Sequence, residues 1–193
     1  MGKKHAPSLM RQIRRELKEG VSPESIFPKV KAIEDPYYRS LSFYLLIPYF
    51  SPKDKKCKES ISLSNKDIEK VQQPWRRVEL IGSISKILKS VSDTRLQRQL
   101  FSSMLEKIKI EKSKEIKDFL LKYTKHFPEF YLSHLLDLSK NSKGNEFETG
   151  KAVIRHSMNI KSNFQMIDSL LEFDYHSRVK PVSYTHLRAH ETE

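Results

Sequence analysis

Apolar residues recur every three or four positions along most of this chain, which is the spacing of one face of an α-helix. The first such stretch begins after Ser8, a residue suited to capping a helix, and is expected to stop at Gly20. Within it the apolar and basic positions fall on opposite sides of the helix. The apolar positions are Leu9, Met10, Ile13 and Leu17, and the basic positions are Arg11, Arg14, Arg15 and Lys18. Residues 1–21 are therefore predicted to form a basic, two-faced N-terminal helix.

A short motif occurs twice, first as Ile33–Arg39 and again, thirty-eight residues later, as Val71–Arg77. Each copy has an apolar residue, two polar residues, a proline, an aromatic residue, any residue and an arginine. Proline is favoured in the first turn of a helix, where its missing N–H has no partner to lose. We therefore expect a helix to end before each proline and another to start at it, with Asp35 as a cap. The aromatic residue, Tyr37 or Trp75, is expected to be buried against a neighbouring helix.

Other boundaries follow from turn-forming residues and from breaks in the apolar spacing. Residues 51–64 carry a proline and a lysine-rich run around Cys57, so they are expected to be an exposed connection. Ser64 or Asn65 would then cap the first helix of the second copy. Further helix starts are expected at Asp93, at Ser113 and at Pro128, and the last of these is a degenerate third copy of the motif. A loop is expected at 141–145, with helices over 146–160 and 163–173 after it. The predicted helical domain is residues 22–173, and residues 174–181 are expected to be disordered.

The last twelve residues, 182–193, read like a translated transposase-type sequencing adapter. We therefore predict that this tail is non-native and that the natural chain continues beyond about Lys180. His186 and His190 stand four apart, as two zinc ligands on a helix would. The metalloprotease signature requires glutamate directly after the first histidine, and Leu187 stands there, so no metal site is predicted.

The motifs Asp-Pro-Tyr-Tyr-Arg-Ser at 35–40 and Gln-Pro-Trp-Arg-Arg at 73–77 carry a resemblance. The chain resembles prokaryotic, especially archaeal, α-helical repeat proteins of the HEAT or TPR-like kind. The motifs support the resemblance over residues 22 to about 90, and the spacing of apolar residues alone supports it over residues 91–173. The resemblance implies an all-α fold of stacked antiparallel hairpins, a right-handed α-solenoid used as a binding scaffold. The TPR signature Trp-x-x-Leu-Gly, with its period of about 34, is absent, so the chain departs from that subtype. A single helical bundle is the alternative architecture.

Composition adds a strong basic bias to this picture. Lysine and arginine number 36 against 24 acidic residues, a formal net charge of +12. No apolar run reaches the roughly 18 residues that span a bilayer, and the first residues lack the apolar core of a signal peptide. The single cysteine excludes an intramolecular disulfide. We therefore expect a cytoplasmic protein without a membrane span, whose partner is acidic.

The sequence contains no persuasive catalytic site. It lacks a glycine-rich phosphate loop, a cysteine set for zinc and an isolated pair of carboxylates for acid–base chemistry. The histidines His126, His134 and His156 are expected to be ordinary helical residues. The chain is therefore predicted to be non-enzymatic, with no cofactor and no metal.

The basic residues are the candidates for binding an anionic partner. They are Arg11, Arg14, Arg15, Lys18, Arg39, Arg76, Arg77, Arg95 and Arg98. The two motif arginines, Arg39 and Arg77, allow two interpretations. They would either form a ladder that grips phosphates or acidic peptides, or tie each hairpin together by bonding the preceding helix's carbonyl end or an acid such as Glu34.

The leading functional prediction is a scaffold for protein–protein interaction, and its partner and oligomeric state are left open. The alternative is an RNA- or DNA-binding protein that makes nonspecific phosphate contacts, with Lys107, Lys109, Lys112 and Lys114 joining the arginines. Phosphate contacts would make binding strongly salt-dependent, which separates the two predictions.

Overall fold

The computed structural model of this protein describes residues 6–159, and every regular element in that range is helical. The α-helices of the range are α1 (Ala6–Lys18), α2 (Pro23–Lys31), α3 (Pro36–Leu46), α4 (Lys55–Lys70), α5 (Pro74–Leu88), α6 (Thr94–Lys109), α7 (Ser113–Tyr123), α8 (Leu132–Lys140) and α9 (Glu146–Asn159). Short 3-10 turns lie at Ile47–Tyr49, Thr124–His126 and Glu129–Tyr131. The predicted all-α class is confirmed. The expected helix over 163–173, the end at 174–181 and the tail at 182–193 lie outside the described residues.

The prolines of the two motifs start helices as predicted. Pro36 is the first residue of α3, and the side chain of Asp35 accepts a hydrogen bond from the backbone N–H of Tyr37 at 2.8 Å. Pro74 is the first residue of α5, which has no side-chain cap. The carboxylate of Asp93 caps α6, again as predicted. Local chemistry thus places three of the helix starts without any help from tertiary contacts.

The predicted exposed connection at 51–64 is wrong, because α4 begins within it. The carboxylate of Asp54 caps the helix, accepting the N–H of Lys56 at 2.7 Å. The first part of the face that α4 buries is made of small side chains, Cys57, Ser60 and Ser64, which are all fully buried. Small polar residues on a buried face leave no apolar period in the sequence, so the pattern predicted a helix only from Ser64 or Asn65 onward. Those two residues are not its cap, because they lie inside α4.

This small-residue face lets α4 lie close against α3. The hydroxyl groups of Ser40 and Ser64 are 2.6 Å apart across the contact, and both side chains are fully buried. Each hydroxyl also bonds the other residue's carbonyl oxygen, so the buried polar atoms satisfy one another. Nearby, burial raises the pKa of the Cys57 thiol, which makes it a packing residue and a poor nucleophile at neutral pH.

Alternate helices contact one another along the described chain. The helix α3 contacts α1 and α5, and α7 contacts α5 and α9. The helices α2, α4, α6 and α8 pack against the members of this row that adjoin them in the sequence. The odd-numbered helices therefore form one row, and α5 lies at its centre.

A glycine allows the close approach of α5 and α7. A Cβ atom at Gly82 would lie 2.4 Å from three carbons of the Tyr123 ring, well inside van der Waals contact. The aromatic ring therefore rests directly on the backbone of α5. Helical glycine is otherwise unfavourable by about 1 kcal/mol relative to alanine, so the packing contact accounts for its presence.

The predicted third proline entry at Pro128 leads into the 3-10 turn Glu129–Tyr131 and not directly into a long helix. The helix that packs next to α5 in the row is α7, which begins at Ser113 without a proline. Pro128 instead adjoins an aromatic cluster, in which the ring of Phe127 lies 5.0 Å from Phe101 and 5.6 Å from Phe119. This cluster anchors the second half of the described chain.

Candidate functional site

Arg39 is held by hydrogen bonds to two parts of the chain. Its Nε and Nη2 donate to the two carboxylate oxygens of Asp67, at 2.7 and 2.6 Å, in the two-pronged geometry that suits guanidinium and carboxylate. Its Nη1 donates to the carbonyl oxygen of Ile33 at 2.7 Å, just past the end of α2. Asp67 is only 3% exposed, so the charge pair is largely shielded from solvent. Arg39 therefore ties α3 to α4 and to the end of α2.

Arg77 repeats this arrangement in the second copy of the motif. Its Nε and Nη2 donate to the carboxylate oxygens of Glu111 at 2.7 and 3.0 Å, and its Nη1 donates to the carbonyl oxygen of Val71 at 2.7 Å. Both arginines thus bond the carbonyl six residues upstream, which confirms the tying role predicted as one of the two interpretations. Each side chain keeps less than a quarter of its surface exposed, at 21% for Arg39 and 24% for Arg77. Binding of a partner by these two residues stays a prediction.

A third contact of this kind escaped the sequence analysis. Lys117, in the second turn of α7, lies 2.9 Å from the side-chain oxygen of Asn145 and 2.9 Å from a carboxylate oxygen of Glu148. It joins α7 to α9 much as Arg39 joins α3 to α4. The only sequence signal for it is a basic residue near a helix start, which is too common to single out.

The basic side of α1 is exposed, and its apolar side is buried, as predicted. Ile13 and Leu17 are at most 5% exposed, whereas the four basic residues, Arg11, Arg14, Arg15 and Lys18, face solvent. Of these four, only Arg15 has an ion pair within the described residues, at 3.9 Å from Glu19. The side of α1 that does not pack on α2 and α3 is therefore a cationic surface.

The remaining predicted arginines lie beside aromatic rings or in solvent. The guanidinium of Arg76 lies 5.0 Å from the ring centroid of Tyr37 and bonds the carboxylate of Asp35 at 3.2 Å. The guanidinium of Arg98 lies 4.7 Å from the ring centroid of Phe130, and Arg95 is exposed on the same helix, α6. Arg76 is therefore partly engaged inside the chain, and the two α6 arginines are displayed on its surface.

A groove of about 490 Å³ runs between the last turns of α1, α3 and α5. We call it the basic groove; it is lined by Arg14, Leu17, Lys18, Leu45, Pro48, Tyr49, Lys86, Ile87 and Ser90. Three of these residues are cationic, none is acidic, and the floor between them is apolar. Tyr49, which is 53% exposed, stands at its edge. Of the predicted site residues, Arg14 and Lys18 meet here.

The sequence analysis missed Lys86 as a member of this groove. Lys86 lies sixty-eight residues from Lys18 in the chain, so only the contacts among α1, α3 and α5 bring the two together. Its neighbour Ile87 is half-buried, packs against the core and lines the groove floor.

Trp75 is not the buried docking residue that the motif predicted. Its side chain is 59% exposed, whereas Tyr37, at the same motif position, is 9% exposed. Tyr37 is covered by Arg76 of the following helix in the row. Lys114, thirty-eight residues after Arg76, is exposed on α7, and no cationic side chain of the described residues lies over the indole. The difference thus comes from α7 and is invisible in the motif itself.

Trp75 instead forms one wall of a pocket of about 260 Å³ between α5 and α7. We call it the Trp75 pocket; its other lining residues are Val78, Glu79, Glu115, Asp118, Lys122 and Tyr123. Three carboxylates and one lysine line it, so its charge is opposite to that of the basic groove. The ring of Tyr123 is buried, and burial, followed by the negative charge of Glu79, raises its pKa.

His126 lies in a positively charged environment beyond the end of α7. Burial first, and then the charges of Lys86, Lys89, Lys125 and His156, lower its pKa to about 4. Its Nε2 atom is shielded from solvent and has no hydrogen-bond partner among the described residues. The neutral ring is therefore the form that the folded protein accommodates.

We expect acid to destabilise the protein partly through His126. The unfolded chain should bind a proton near pH 6.5, whereas the folded chain should not do so until about pH 4. This contribution to stability is complete above pH 6.5 and is lost as the pH falls towards 4. Because the ring is partly exposed, we expect wild type to lose about 1 kcal/mol more than His126→Gln between pH 7 and 4.5.

Urea denaturation at a series of pH values would measure this difference. The matched control is His134→Gln, since His134 is an exposed histidine in the same region. Its pH profile should follow that of wild type. Parallel profiles for wild type and His126→Gln would contradict the inferred pKa.

Two further observations bound the chemistry of the described chain. No three of its histidine, cysteine, aspartate and glutamate side chains are grouped so that they could hold a metal ion. None of the helices within residues 6–159 is long and apolar enough to cross a membrane.

Comparison of the chain with protein-family models, with curated proteins and with solved structures finds no match. The functional proposal below therefore rests on the sequence and on the geometry of these helices.

Proposed function

We propose that this chain is a non-enzymatic α-helical repeat scaffold, an α-solenoid of stacked hairpins, that binds an acidic segment of a protein partner. The basic groove is the observation that carries the proposal. Support for the repeat architecture comes from the contacts between alternate helices and from the matching bonds of Arg39 and Arg77. Such arrays display extended surfaces on which partners bind.

The chemistry of the basic groove suits an acidic segment with apolar anchors. Arg14 and Lys18 are exposed and form no ion pair with any described residue, so their charges are available to a partner. Leu17, Leu45 and Ile87 supply an apolar floor between the charges. Apolar anchors in a pocket provide most of the affinity of a protein interface, while charges at its edge set orientation and association rate.

The nucleic-acid alternative is less well supported by the positions of the basic residues. Several of the side chains that it requires are paired with carboxylates inside the chain. Arg77 bonds Glu111, Lys107 lies 3.6 Å from Glu69, and Lys109 lies 2.7 Å from Glu106. A continuous phosphate-binding track would require these cations to be free.

Binding of a defined peptide tests the proposal. The probe is a fluorescein-labelled amphipathic peptide with leucine at helical spacing and glutamate between, and its anisotropy is followed as protein is added. Arg14→Glu/Lys18→Glu should weaken binding by about tenfold or more, because two attractive contacts become repulsive. The matched control is Arg95→Glu/Arg98→Glu, which changes the net charge equally on α6. It should change the affinity by no more than about twofold.

Several outcomes would overturn the proposal. One is equal weakening by both double variants, which would mean that net charge and not the groove attracts the peptide. Another is unchanged binding when the glutamates of the probe are replaced by glutamine. A third is tight binding of a single-stranded RNA of mixed sequence, with a steep salt dependence and no competition from the peptide, which would favour the nucleic-acid alternative.

A further inference from the structure

The aromatic residues of the two motif copies have different surroundings. A cation of the chain lies over Tyr37, and none within the described residues lies over Trp75, which suggests that Trp75 binds a cation from a ligand. At Tyr37, the guanidinium of Arg76 lies over the ring at 5.0 Å and bonds the carboxylate of Asp35 at 3.2 Å. The chain thus fills this first site with its own cation, held between an aromatic face and a carboxylate. Cations bind to aromatic faces through the negative potential of the ring.

The Trp75 pocket also combines an aromatic face with carboxylates, but these come from positions other than that of Asp35, where the second copy has Gln73. Its one lining lysine is Lys122, and no cation of the described residues lies over the indole of Trp75. Tryptophan offers the strongest cation-binding face of the aromatic side chains. Glu79, Glu115 and Asp118 line the same pocket, and none of them has an ion pair with a described residue. One carboxylate oxygen of Glu115 is shielded from solvent and has no hydrogen-bond partner among the residues described. An external guanidinium or ammonium group would satisfy these carboxylates as Arg76 satisfies Asp35.

The Trp75 pocket and the basic groove lie on one side of α5. Trp75 and Lys86 are eleven residues apart, which is about 16 Å along a helix and within about 20° around it. Lys86 lines the basic groove, and its Nζ lies 5.4 Å from the ring centroid of Tyr123, which lines the Trp75 pocket. The two sites of opposite charge therefore adjoin one another on the same surface.

We propose that the partner segment that occupies the basic groove also inserts an arginine or lysine side chain into the Trp75 pocket. This inference rests on the proposed function, and it specifies the partner as a charge-segregated segment. Its acidic and apolar residues lie at the groove, and its basic side chain lies about 16 Å away, a span of about five extended residues. The surface charges of the two sites complement such a segment at both ends.

Trp75 is the only tryptophan of the chain, so its fluorescence reports directly on this pocket. The first probe is an unlabelled peptide with glutamate and leucine residues at one end and a single arginine about five residues further on, made in both chain directions. The matched probe has glutamine in place of the arginine. The arginine should improve affinity by about fivefold to tenfold in one direction, and only the arginine peptide should change the emission of Trp75.

Two double variants then test whether the higher affinity of the arginine peptide arises at the Trp75 pocket. Glu79→Gln/Asp118→Asn should abolish the difference between the arginine and glutamine peptides while leaving the affinity of the glutamine peptide within about twofold of wild type. The matched control is Glu106→Gln/Asp137→Asn, which removes two exposed carboxylates whose ion pairs within residues 6–159 are with lysines of their own helices, α6 and α8. It should keep the full difference. Circular dichroism melting of each variant would check that the fold is retained.

The possible failures of the two proposals are distinguishable. If the glutamine peptide binds the basic groove but the arginine adds no affinity and Trp75 does not respond, this inference is overturned and the proposed function stands. The same conclusion follows if both double variants lose the gain equally. If neither peptide binds, the proposed function fails, and this inference fails with it.

Discussion

Replacement of Arg39 by alanine is expected to lower the free energy of unfolding by about 3 kcal/mol, the lower end of the range for breaking a buried ion pair. The change removes the guanidinium that bonds both carboxylate oxygens of Asp67, which is 3% exposed, and the carbonyl oxygen of Ile33. Asp67 would then lose both hydrogen bonds of the guanidinium and would keep only Lys70, at 3.7 Å. A buried carboxylate that loses its hydrogen bonds still carries its desolvation penalty, which is why breaking such a pair costs more than the pair contributes. Urea denaturation followed by circular dichroism at 222 nm would measure the loss.

Three further variants sharpen this experiment. Arg39→Lys keeps the charge but cannot form the two-pronged bond, so it should recover only part of the stability. Adding Asp67→Asn to Arg39→Ala removes the buried charge that only Lys70 would still face and should restore about 1 to 2 kcal/mol. Arg76→Ala is the control and should cost less than about 2 kcal/mol. Its pair with Asp35 is about one-third exposed on both sides, and its contact with the Tyr37 ring contributes about 0.5 to 1 kcal/mol. An unchanged stability of Arg39→Ala would mean that this arginine serves a partner and not the fold.

Gly82→Ala should destabilise the protein by about 1 to 2 kcal/mol, even though alanine is the better helix former. The added methyl group would lie 2.4 Å from three ring carbons of Tyr123, so either the ring or the helix must move. Overpacking of this kind costs about 1 to 3 kcal/mol, which outweighs the gain of about 1 kcal/mol in helix propensity only when the contact is with a fixed group. The ring of Tyr123 is fixed because it is buried between α5 and α7.

The control for Gly82→Ala is the same change in a Tyr123→Ala background. The single variant Tyr123→Ala should itself lose stability, but adding Gly82→Ala to it should be neutral or stabilising by up to about 1 kcal/mol. The two effects together give the coupling energy of the contact. A destabilisation of equal size in both backgrounds would show that the Tyr123 ring is not what excludes a side chain at residue 82.

The helix starts could be predicted because their causes are local. Asp35 and Pro36 act within one turn of the chain, so the residues that determine the start of α3 are adjacent in the sequence. The carbonyl bond of Arg39 was foreseeable for the same reason, since Ile33 is six residues away. Its carboxylate partner was not, because Asp67 lies 28 residues away and only the packing of α4 on α3 brings it to Arg39.

The errors concern residues whose environment is set by a distant helix. The buried face of α4 consists of small and polar side chains such as Ser60 and Ser64, which resemble surface residues until α3 is placed against them. Trp75 was expected to be buried by analogy with Tyr37, yet its exposure depends on what α7 presents above it. The basic side of α1 was predictable from periodicity, whereas Lys86 and the carboxylates of the Trp75 pocket become neighbours only through tertiary packing.

In both arginine pairs the carboxylate follows the guanidinium along the chain, by 28 residues for Arg39 and 34 for Arg77. A chain emerging from the ribosome therefore presents each arginine well before its acid. Arg39, at the start of α3, cannot form its ion pair until Asp67 has been synthesised. Arg77, at the start of α5, cannot form its ion pair until Glu111 has been synthesised. Independently folding fragments should accordingly end after these acids and not at the nearer loops that follow α3 and α5.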